Sequence, residues 1–251
     1  MFRLLKARWN QGFQYIKDPL RVRPPLPYRG LPQINADRME PVEGFACPTG
    51  ALCLEPLSID LGKCLFCGDC TGICAHGEIV FTNNPRLGST RRADLIVDRL
   101  HAEPAVKPHP VMSRLCRRSF KLRQVSAGGD NSAELELNAL GNVNFDMGRY
   151  GIEFVASPRH ADGILMTGPI SKNMAYALAE TYRAVPEPRV VIMAGAEAIS
   201  GGVFAASSQA AFQAMLDRSF LDGVVVDLYI PGWPPHPLTV LDALCDFLGR
   251  R

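Results

Sequence analysis

The chain has 251 residues, of which 47% are hydrophobic, and its formal net charge is +2. This length predicts a substantial core and two domains, while the small net charge gives no sign of nucleic-acid binding. No apolar run approaches the roughly 20 residues that a membrane-spanning helix needs, and the first residues lack the features of a signal peptide. We therefore expect a soluble or peripheral protein in a reducing compartment. There, closely spaced cysteines indicate metal binding rather than disulfides.

The first thirty residues form a cationic segment, which we predict to be a separate unit over 1–30. It contains seven Lys or Arg residues and only one acidic residue, Asp18. Large apolar residues recur at helical spacing and predict an amphipathic helix that ends before Pro19; they are Phe2, Leu5, Trp9, Phe13 and Ile16. Such a stripe packs against a core or a partner more often than against a membrane surface. The positive charge suits an acidic partner or anionic lipid, but it also suits a solvated arm.

The strongest signal is a run of four cysteines with the spacing C-x2-C-x2-C-x3-C, at Cys64, Cys67, Cys70 and Cys74. This is the bacterial ferredoxin run, in which the first three thiolates surround one [4Fe–4S] cluster and the fourth binds another cluster. The first three therefore need a fourth ligand from elsewhere. We predict Cys47, which is followed by a proline as in ferredoxins, and keep Cys74 as the alternative. A zinc site is the competing interpretation, although zinc modules normally show two separated cysteine pairs.

A second, degenerate copy of the ferredoxin spacing precedes Cys47. Counting back from Cys47 by the same intervals reaches Glu43, Glu40 and Asp37. Carboxylates are poor ligands for soft iron–sulfur sites, so the sequence predicts that the first cluster of this pair is lost and that one cluster remains. Cys74 then lacks a cluster of its own, and Ala75 stands where a proline is usual. The isolated cysteines are expected to be ordinary thiols: Cys53, Cys116 and Cys245.

The second half of the chain alternates between strand and helix patterns. Short apolar runs bounded by Gly or Pro predict buried parallel strands; they lie at 151–157, 162–168, 189–195 and 222–232. Helix patterns lie at 131–140, 172–185, 206–218 and 238–249. This alternation predicts an α/β fold with an open parallel sheet and helices on both faces. In such folds the functional loops lie at the carboxyl ends of the strands.

Three stretches of the first half resemble a known family. They are YRGLPQ at 28–33, CPTGAL at 47–52 and the cysteine run. Together they resemble the ferredoxin-type subunit of respiratory complex I and of membrane-bound formate hydrogenlyases. The resemblance implies a ferredoxin-like domain over 31–85 with one [4Fe–4S] cluster, followed by a connector over 86–120.

Residues 121–251 resemble a different subunit of the same machines, the NADH-quinone oxidoreductase 20 kDa-type and group 4 [NiFe]-hydrogenase small subunit. The matching stretches are GGDNSAELE (128–136), RYGIE (149–153), SPRHAD (157–162), TGPI (167–170), GAEAISGGVF (195–204) and YIPGWPP (229–235). The resemblance implies a flavodoxin-like domain, so the chain resembles a fusion of two subunits. It also implies a large hydrogenase-like subunit and membrane-arm subunits as partners, at the cytoplasmic face of the inner membrane.

The chain departs from this second family at the cluster ligands. Hydrogenase-type small subunits hold their cluster with four cysteines, and the matching positions here are Asp130, Ala133, Glu197 and Trp233. Alanine and tryptophan cannot bind iron, and carboxylates are hard donors. We therefore predict that this cluster is missing, although the glycines and prolines of the surrounding turns remain.

Two functions fit these observations. The chain is expected to be an electron-transfer subunit with a single cluster, or a structural subunit that only docks a large subunit against a membrane arm. No arrangement of catalytic side chains emerges, so we do not expect catalysis by this chain alone. Arg159 and His160 are candidates for a partner contact or for a solvated loop, and His236 is expected to cap the last helix.

Overall fold

The structure is a computed structural model that describes residues 2–12, 16, 18–74 and 76–250. Its first element is helix α1 (Phe2–Gln11). The predicted helix was longer, but Gly12 adopts a positive φ of 62° directly after Gln11, a conformation that glycine tolerates and that ends helices. Phe13, at which the predicted apolar stripe continues, lies outside the described residues, and so does Ala75. No described helix is long and apolar enough to cross a membrane.

Five short strands and one helix make up the region around the cysteines. Strand β1 (Pro32–Ile34) pairs antiparallel with β4 (Ile79–Phe81). Strands β2 (Leu52–Leu54) and β3 (Leu57–Asp60) form a hairpin, and β5 (Ile96–Val97) pairs antiparallel with β3. Helix α2 (Asp69–Gly72) lies between β3 and β4 in the chain. The region is thus held together by two small antiparallel sheets.

A five-stranded parallel sheet forms the centre of the second half. Its strands are β6 (Phe120–Ser126), β7 (Ile152–Phe154), β8 (Gly163–Thr167), β9 (Val190–Ala194) and β10 (Leu228–Ile230). Their spatial order is β7-β6-β8-β9-β10, and every pairing is parallel. This is the flavodoxin-like order 2-1-3-4-5. The predicted open parallel sheet is therefore confirmed.

The interior strand β6, second in the sheet, was not predicted. Its sequence FKLRQVS places Lys121 between the buried Phe120 and Leu122 and Arg123 directly after Leu122, so it lacks the continuous apolar run of its neighbours. The two cations are only partly buried. Lys121 also pairs with Glu153 of the neighbouring edge strand β7 at 3.3 Å, so this interior strand can carry a charged residue.

Seven further helices complete the described second half and the stretch before it: α3 (Met112–Leu115), α4 (Ser132–Ala139), α5 (Lys172–Ala184), α6 (Ala196–Ser200), α7 (Gly202–Ala206), α8 (Ala210–Gln213) and α9 (Pro237–Phe247). Three of the four predicted helices match α4, α5 and α9. The fourth, at 206–218, is wrong. The chain forms two short helices there because Ser207 is extended, with a ψ of 136°, and this interrupts the helical path.

The sheet separates two hydrophobic cores. Leu165 packs with α4 and α9 on one face, whereas its neighbours Ile164 and Met166 face the other core. That other core also contains Leu57 and Ile79 from the cysteine region and Leu178 from α5. The cysteine region therefore covers one face of the sheet beside α5. The predicted domain limits stay a prediction, but the two regions share a core.

Candidate functional site

The loop from Cys64 to Cys70 curls tightly before α2. Phe66 and Gly68 both have positive φ values, of 54° and 86°. These turns bring the Phe66 N–H to 3.3 Å from the Cys64 Sγ, to which it donates. A Cβ on Gly68 would lie 2.6 Å from the Nε of the exposed Arg29 side chain, which would have to shift, and the left-handed φ of Gly68 itself favours glycine. The local geometry therefore directs a backbone amide at a cysteine sulfur.

Cys47, Cys64, Cys67 and Cys70 line one pocket. Cys64 is buried, Cys47 and Cys70 are half-buried, and Cys67 is exposed. The rest of the wall is largely apolar and comes from both small sheets and the loops beside them; it includes Phe45, Leu52, Ile59, Leu65 and Phe81. The fold thus brings Cys47 to the three cysteines of the run, 17 or more residues away in the chain.

The thiol pKa values reflect this grouping. Burial raises the pKa of the Cys64 thiol to about 12, and the nearby Cys70, Cys47 and Cys67 sulfurs raise it as well. The hydrogen bond from the Phe66 N–H acts in the opposite direction. Burial and the neighbouring thiols also raise the pKa of Cys70 to about 11. Burial acts in the same direction on Cys47, but hydrogen bonds from three backbone N–H groups and the Thr49 hydroxyl outweigh it and lower its pKa. The Cys64 and Cys70 thiols therefore each lie within electrostatic reach of the Cys47 and Cys67 sulfurs.

Cys74, the alternative fourth ligand, does not line the pocket. Its thiol donates to the Cys70 carbonyl oxygen at 3.1 Å and lies 3.7 Å from the Met39 Sδ. The carboxylates at the degenerate positions are exposed on the surface: Asp37, Glu40 and Glu43. Asp37 pairs with Arg99 at 3.0 Å. Cys74 is thus close enough to Cys70 to contribute to the raised pKa of its thiol, but it does not share the pocket with the other four sulfurs.

The donor set of the pocket fits a [4Fe–4S] cluster. Thiolates are the donors that iron–sulfur clusters use, and backbone N–H groups directed at the sulfurs stabilise their negative charge. In the described ranges, no group of three or more His, Cys, Asp or Glu side chains is arranged to hold a metal ion. Each thiolate of a cubane binds a different iron, so these ligands stand around a cluster rather than converge on one point. Cys47, Cys64, Cys67 and Cys70 are the residues that would hold it.

The four positions of the predicted lost cluster come together at the carboxyl ends of the parallel strands. Asp130 and Ala133 follow β6, Glu197 lies in α6 after β9, and Trp233 follows β10. Space between them is tight: a Cβ on Gly129 would lie 2.4 Å from the Glu197 Oε2, and one on Gly195 would contact Ala133. The fold therefore gathers residues that are up to 103 positions apart in the sequence.

Glu197 is a buried carboxyl with an unusual environment, since its residue is only 5% exposed. Burial raises the pKa of this carboxyl, and the nearby Asp130 carboxylate raises it further. The Trp233 indole N–H lies close enough to favour the ionised form. However, neither the Trp233 Nε1 nor the Glu197 Oε1 has a hydrogen-bond partner of normal geometry among the described residues. A carboxyl and an indole thus stand where the resemblance predicts thiolates.

Sequence reasoning missed two residues that support this second site. Glu134 is buried and accepts a hydrogen bond of 2.6 Å from the Thr167 hydroxyl at the end of β8. Arg218 donates to the backbone oxygens of Ala198 and Ile199 at 2.8 and 3.1 Å, which ties down the end of α6. The position of Glu134 in the first turn of α4 suits the helix dipole but does not indicate burial, and no local pattern around Arg218 indicates its contacts.

The two sites are neighbours. Leu65 and Phe66 of the cysteine loop line a cavity together with Gly232 and Trp233. On the other side, a Cβ on Gly62 would lie 2.7 Å from the Ile199 side chain. The cysteine pocket and the carboxyl-end site therefore lie against each other across the shared core.

Two further sequence predictions concern histidines. His236 is the N-cap of α9, where its Nδ1 accepts from the Leu238 N–H at 3.1 Å, so the predicted cap is confirmed. Arg159 and His160 are exposed in a short 3-10 turn, Pro158–His160. A partner contact there stays a prediction.

Comparison with known proteins agrees with this fold. Residues 131–247 match the family described as NADH ubiquinone oxidoreductase, 20 Kd subunit. The chain is 35% identical over 134 residues to the probable membrane-bound hydrogenase subunit mbhJ of Pyrococcus furiosus, a match that covers 52% of this chain and 76% of that subunit. The chain belongs to this family.

Other members differ in how much of their length is matched. An uncharacterised protein of Methanocaldococcus jannaschii is 35% identical over 128 residues, covering 51% of this chain and 82% of that protein. The NAD(P)H-quinone oxidoreductase subunit K of a Picosynechococcus strain is 42% identical over 110 residues, or 44% of this chain and 43% of the subunit. The match thus spans less than half the length of this relative. Membership of the small-subunit family is established, whereas the ferredoxin-type resemblance of residues 31–85 stays a prediction.

Proposed function

We propose that this chain is the iron–sulfur subunit of a membrane-associated, complex I-like or energy-converting-hydrogenase-related oxidoreductase complex. It carries one [4Fe–4S] cluster on Cys47, Cys64, Cys67 and Cys70. The single pocket that these four cysteines line carries the proposal. Its named relatives are a quinone oxidoreductase subunit and a probable membrane-bound hydrogenase subunit, which supports membership of such a complex.

When bound, such a cluster supplies one-electron transfer. The residues of this chain hold and shield it. The apolar wall limits access of water, the Phe66 N–H stabilises charge on Cys64, and the N–H groups after Cys47 stabilise its thiolate. The pairing of β1 with β4 and the β2–β3 hairpin support a ferredoxin-like arrangement of residues 31–85, with 86–120 as connector and 121–251 as the small-subunit domain.

The carboxyl-end site of the second domain serves as a docking face without a cluster. Asp130, Ala133, Glu197 and Trp233 offer no thiolate, and a cubane needs four strong donors. The half-buried Trp233 fills part of the volume that a cluster would need. The partner at this face is a large hydrogenase-like subunit, with membrane-arm subunits holding the assembly at the cytoplasmic face of the inner membrane.

Cluster content tests the redox proposal. The full chain, purified without oxygen, is expected to contain about four irons and four sulfides. Cys64→Ser should lose them, whereas the matched control Cys53→Ser should keep them, because Cys53 is exposed and outside the pocket. Two clusters per chain would contradict the predicted loss at the second site, and no cluster would contradict the proposal itself.

A purely structural role is the second candidate, because the carboxyl-end site beside the cysteine loop presents Trp233 and not a second set of thiolates. The two candidates differ in the assembled complex. If electron transfer passes through this chain, a complex that assembles with Cys67→Ser should lose its turnover. Full turnover in that assembled variant would favour the docking-only role.

A further inference from the structure

Helix α1 exposes its whole surface. None of its residues is buried, and Phe2 and Trp9 are both 88% exposed, while Leu5 is 58% exposed. Water-soluble monomers rarely expose a contiguous group of large apolar side chains without a binding role. A helix of ten residues is also marginal by itself in water, where about 12–15 residues are needed. The exposed apolar residues therefore indicate that α1 is stabilised by packing against a surface outside this chain.

The arrangement of charges on α1 indicates which surface this is. At about 100° per residue, Phe2, Leu5 and Trp9 fall on one face. Lys6 borders that face on one side, Arg3 lies further round, and the helix contains no acidic residue. Protein–protein interfaces also favour aromatic residues and Arg, but Lys is depleted there. In contrast, aromatic residues with bordering Lys and Arg are typical of helices that lie in a membrane interface.

The segment after α1 continues the same pattern. Leu26 is 81% exposed and Val22 is 38% exposed, and the exposed Arg23 lies between them. Cationic residues near an anionic leaflet each contribute to attraction. The positive charge of this segment is therefore complementary to anionic lipid headgroups.

We propose that α1 binds the membrane surface directly, with Phe2, Leu5 and Trp9 entering the interface of an anionic bilayer and Arg3 and Lys6 contacting its phosphates. This inference is independent of the cluster and of the redox role. It assigns a lipid-binding surface to the chain itself, in addition to its attachment through partner subunits.

Vesicle flotation with the purified full chain tests the proposal. The chain should float with vesicles of equal parts phosphatidylcholine and phosphatidylglycerol, but not with phosphatidylcholine alone, and salt should weaken the binding. The double variant Arg3→Glu/Lys6→Glu should lower the partition coefficient at least about tenfold. Trp9→Ser should lower it as well and should remove the blue shift of tryptophan emission that lipid produces.

Matched controls separate α1 from general surface properties. Lys107→Glu/Arg117→Glu makes the same charge change at exposed positions elsewhere, and Leu100→Ser removes an apolar side chain that is 85% exposed. Both controls should bind vesicles like the unaltered chain. Equal loss in controls and α1 variants, or no vesicle binding at all, would overturn the proposal. If vesicles fail to bind the chain but the α1 variants lose partner subunits on purification, α1 is a protein-docking helix instead.

Discussion

At the residue scale, the positions of the sulfurs favour Cys47 over Cys74 as the fourth ligand of the proposed cluster. Cys47 lines the pocket of Cys64, Cys67 and Cys70, whereas the Cys74 thiol points to the Cys70 carbonyl oxygen and Met39. We therefore expect Cys47→Ala to lose most of the iron and the visible absorbance, and Cys74→Ala to retain both. Iron analysis and electron paramagnetic resonance after reduction check this. The opposite pattern would mean that the four cysteines of the run bind the cluster locally.

The buried Glu197 carboxyl gives a second residue-scale prediction. Burial and Asp130 raise its pKa in the folded chain above the ordinary value of 4.5. The folded state therefore binds this proton more tightly than the unfolded state. The stability that this proton contributes is lost as the pH rises through the raised pKa of Glu197. Glu197→Gln removes that dependence, so the variant should gain stability relative to the unaltered chain as pH rises from about 4 to neutrality.

Denaturant unfolding at several pH values measures this difference. Glu55→Gln is the matched control, because Glu55 is exposed on the turn between β2 and β3. Comparison of the two variants separates the effect of the buried site from the effect of removing any carboxyl. A pH-independent difference for Glu197→Gln would show that the carboxyl is not perturbed by its surroundings.

At the element scale, the cysteine loop depends on backbone conformations that precede α2. Gly68 has a φ of 86°, and a Cβ there would lie 2.6 Å from the Arg29 Nε. Gly68→Ala should therefore cost about 1–2 kcal/mol of stability through the left-handed backbone, and it should speed loss of the cluster. Gly72→Ala, in α2, meets nothing within 4 Å and is the matched control. The rate at which the cluster absorbance bleaches in air is measured for both variants. Equal bleaching rates would contradict this role for Gly68.

At the scale of the whole molecule, the shared core links the cysteine pocket to the parallel sheet. Ile199 is 7% exposed and lies against Gly62, two residues before Cys64. Ile192 is fully buried in the other core. Replacing either by Ala should destabilise the fold by about 2–5 kcal/mol. We expect Ile199→Ala to release the cluster faster than Ile192→Ala under native conditions, because only Ile199 supports the cysteine region.

Cluster release from both variants is compared after their stabilities are matched with a low concentration of denaturant. Faster release from Ile192→Ala, or equal rates, would mean that the shared core does not couple the two regions. Such a result would support 31–85 and 121–251 as independent units.

The sequence by itself determined the features that arise from local spacing. The cysteine run requires only positions 64 to 74, the strands β8 and β9 are short continuous apolar runs, and the Pro-His-Pro context of His236 indicated a helix cap. Each of these patterns lies within a dozen residues, where backbone geometry and side-chain period act directly. The small-subunit resemblance added the order of longer stretches, which the family match confirms for residues 131–247.

Only the tertiary structure decided which distant residues meet. It brought Cys47 to the cysteine loop, placed the partly charged β6 in the interior of the sheet, and gathered Glu197 and Trp233 at its carboxyl edge. It also joined two predicted domains through one core. These features depend on packing between segments far apart in the chain, because burial compensates for weak local preference. A one-dimensional pattern contains the residues but not their contacts.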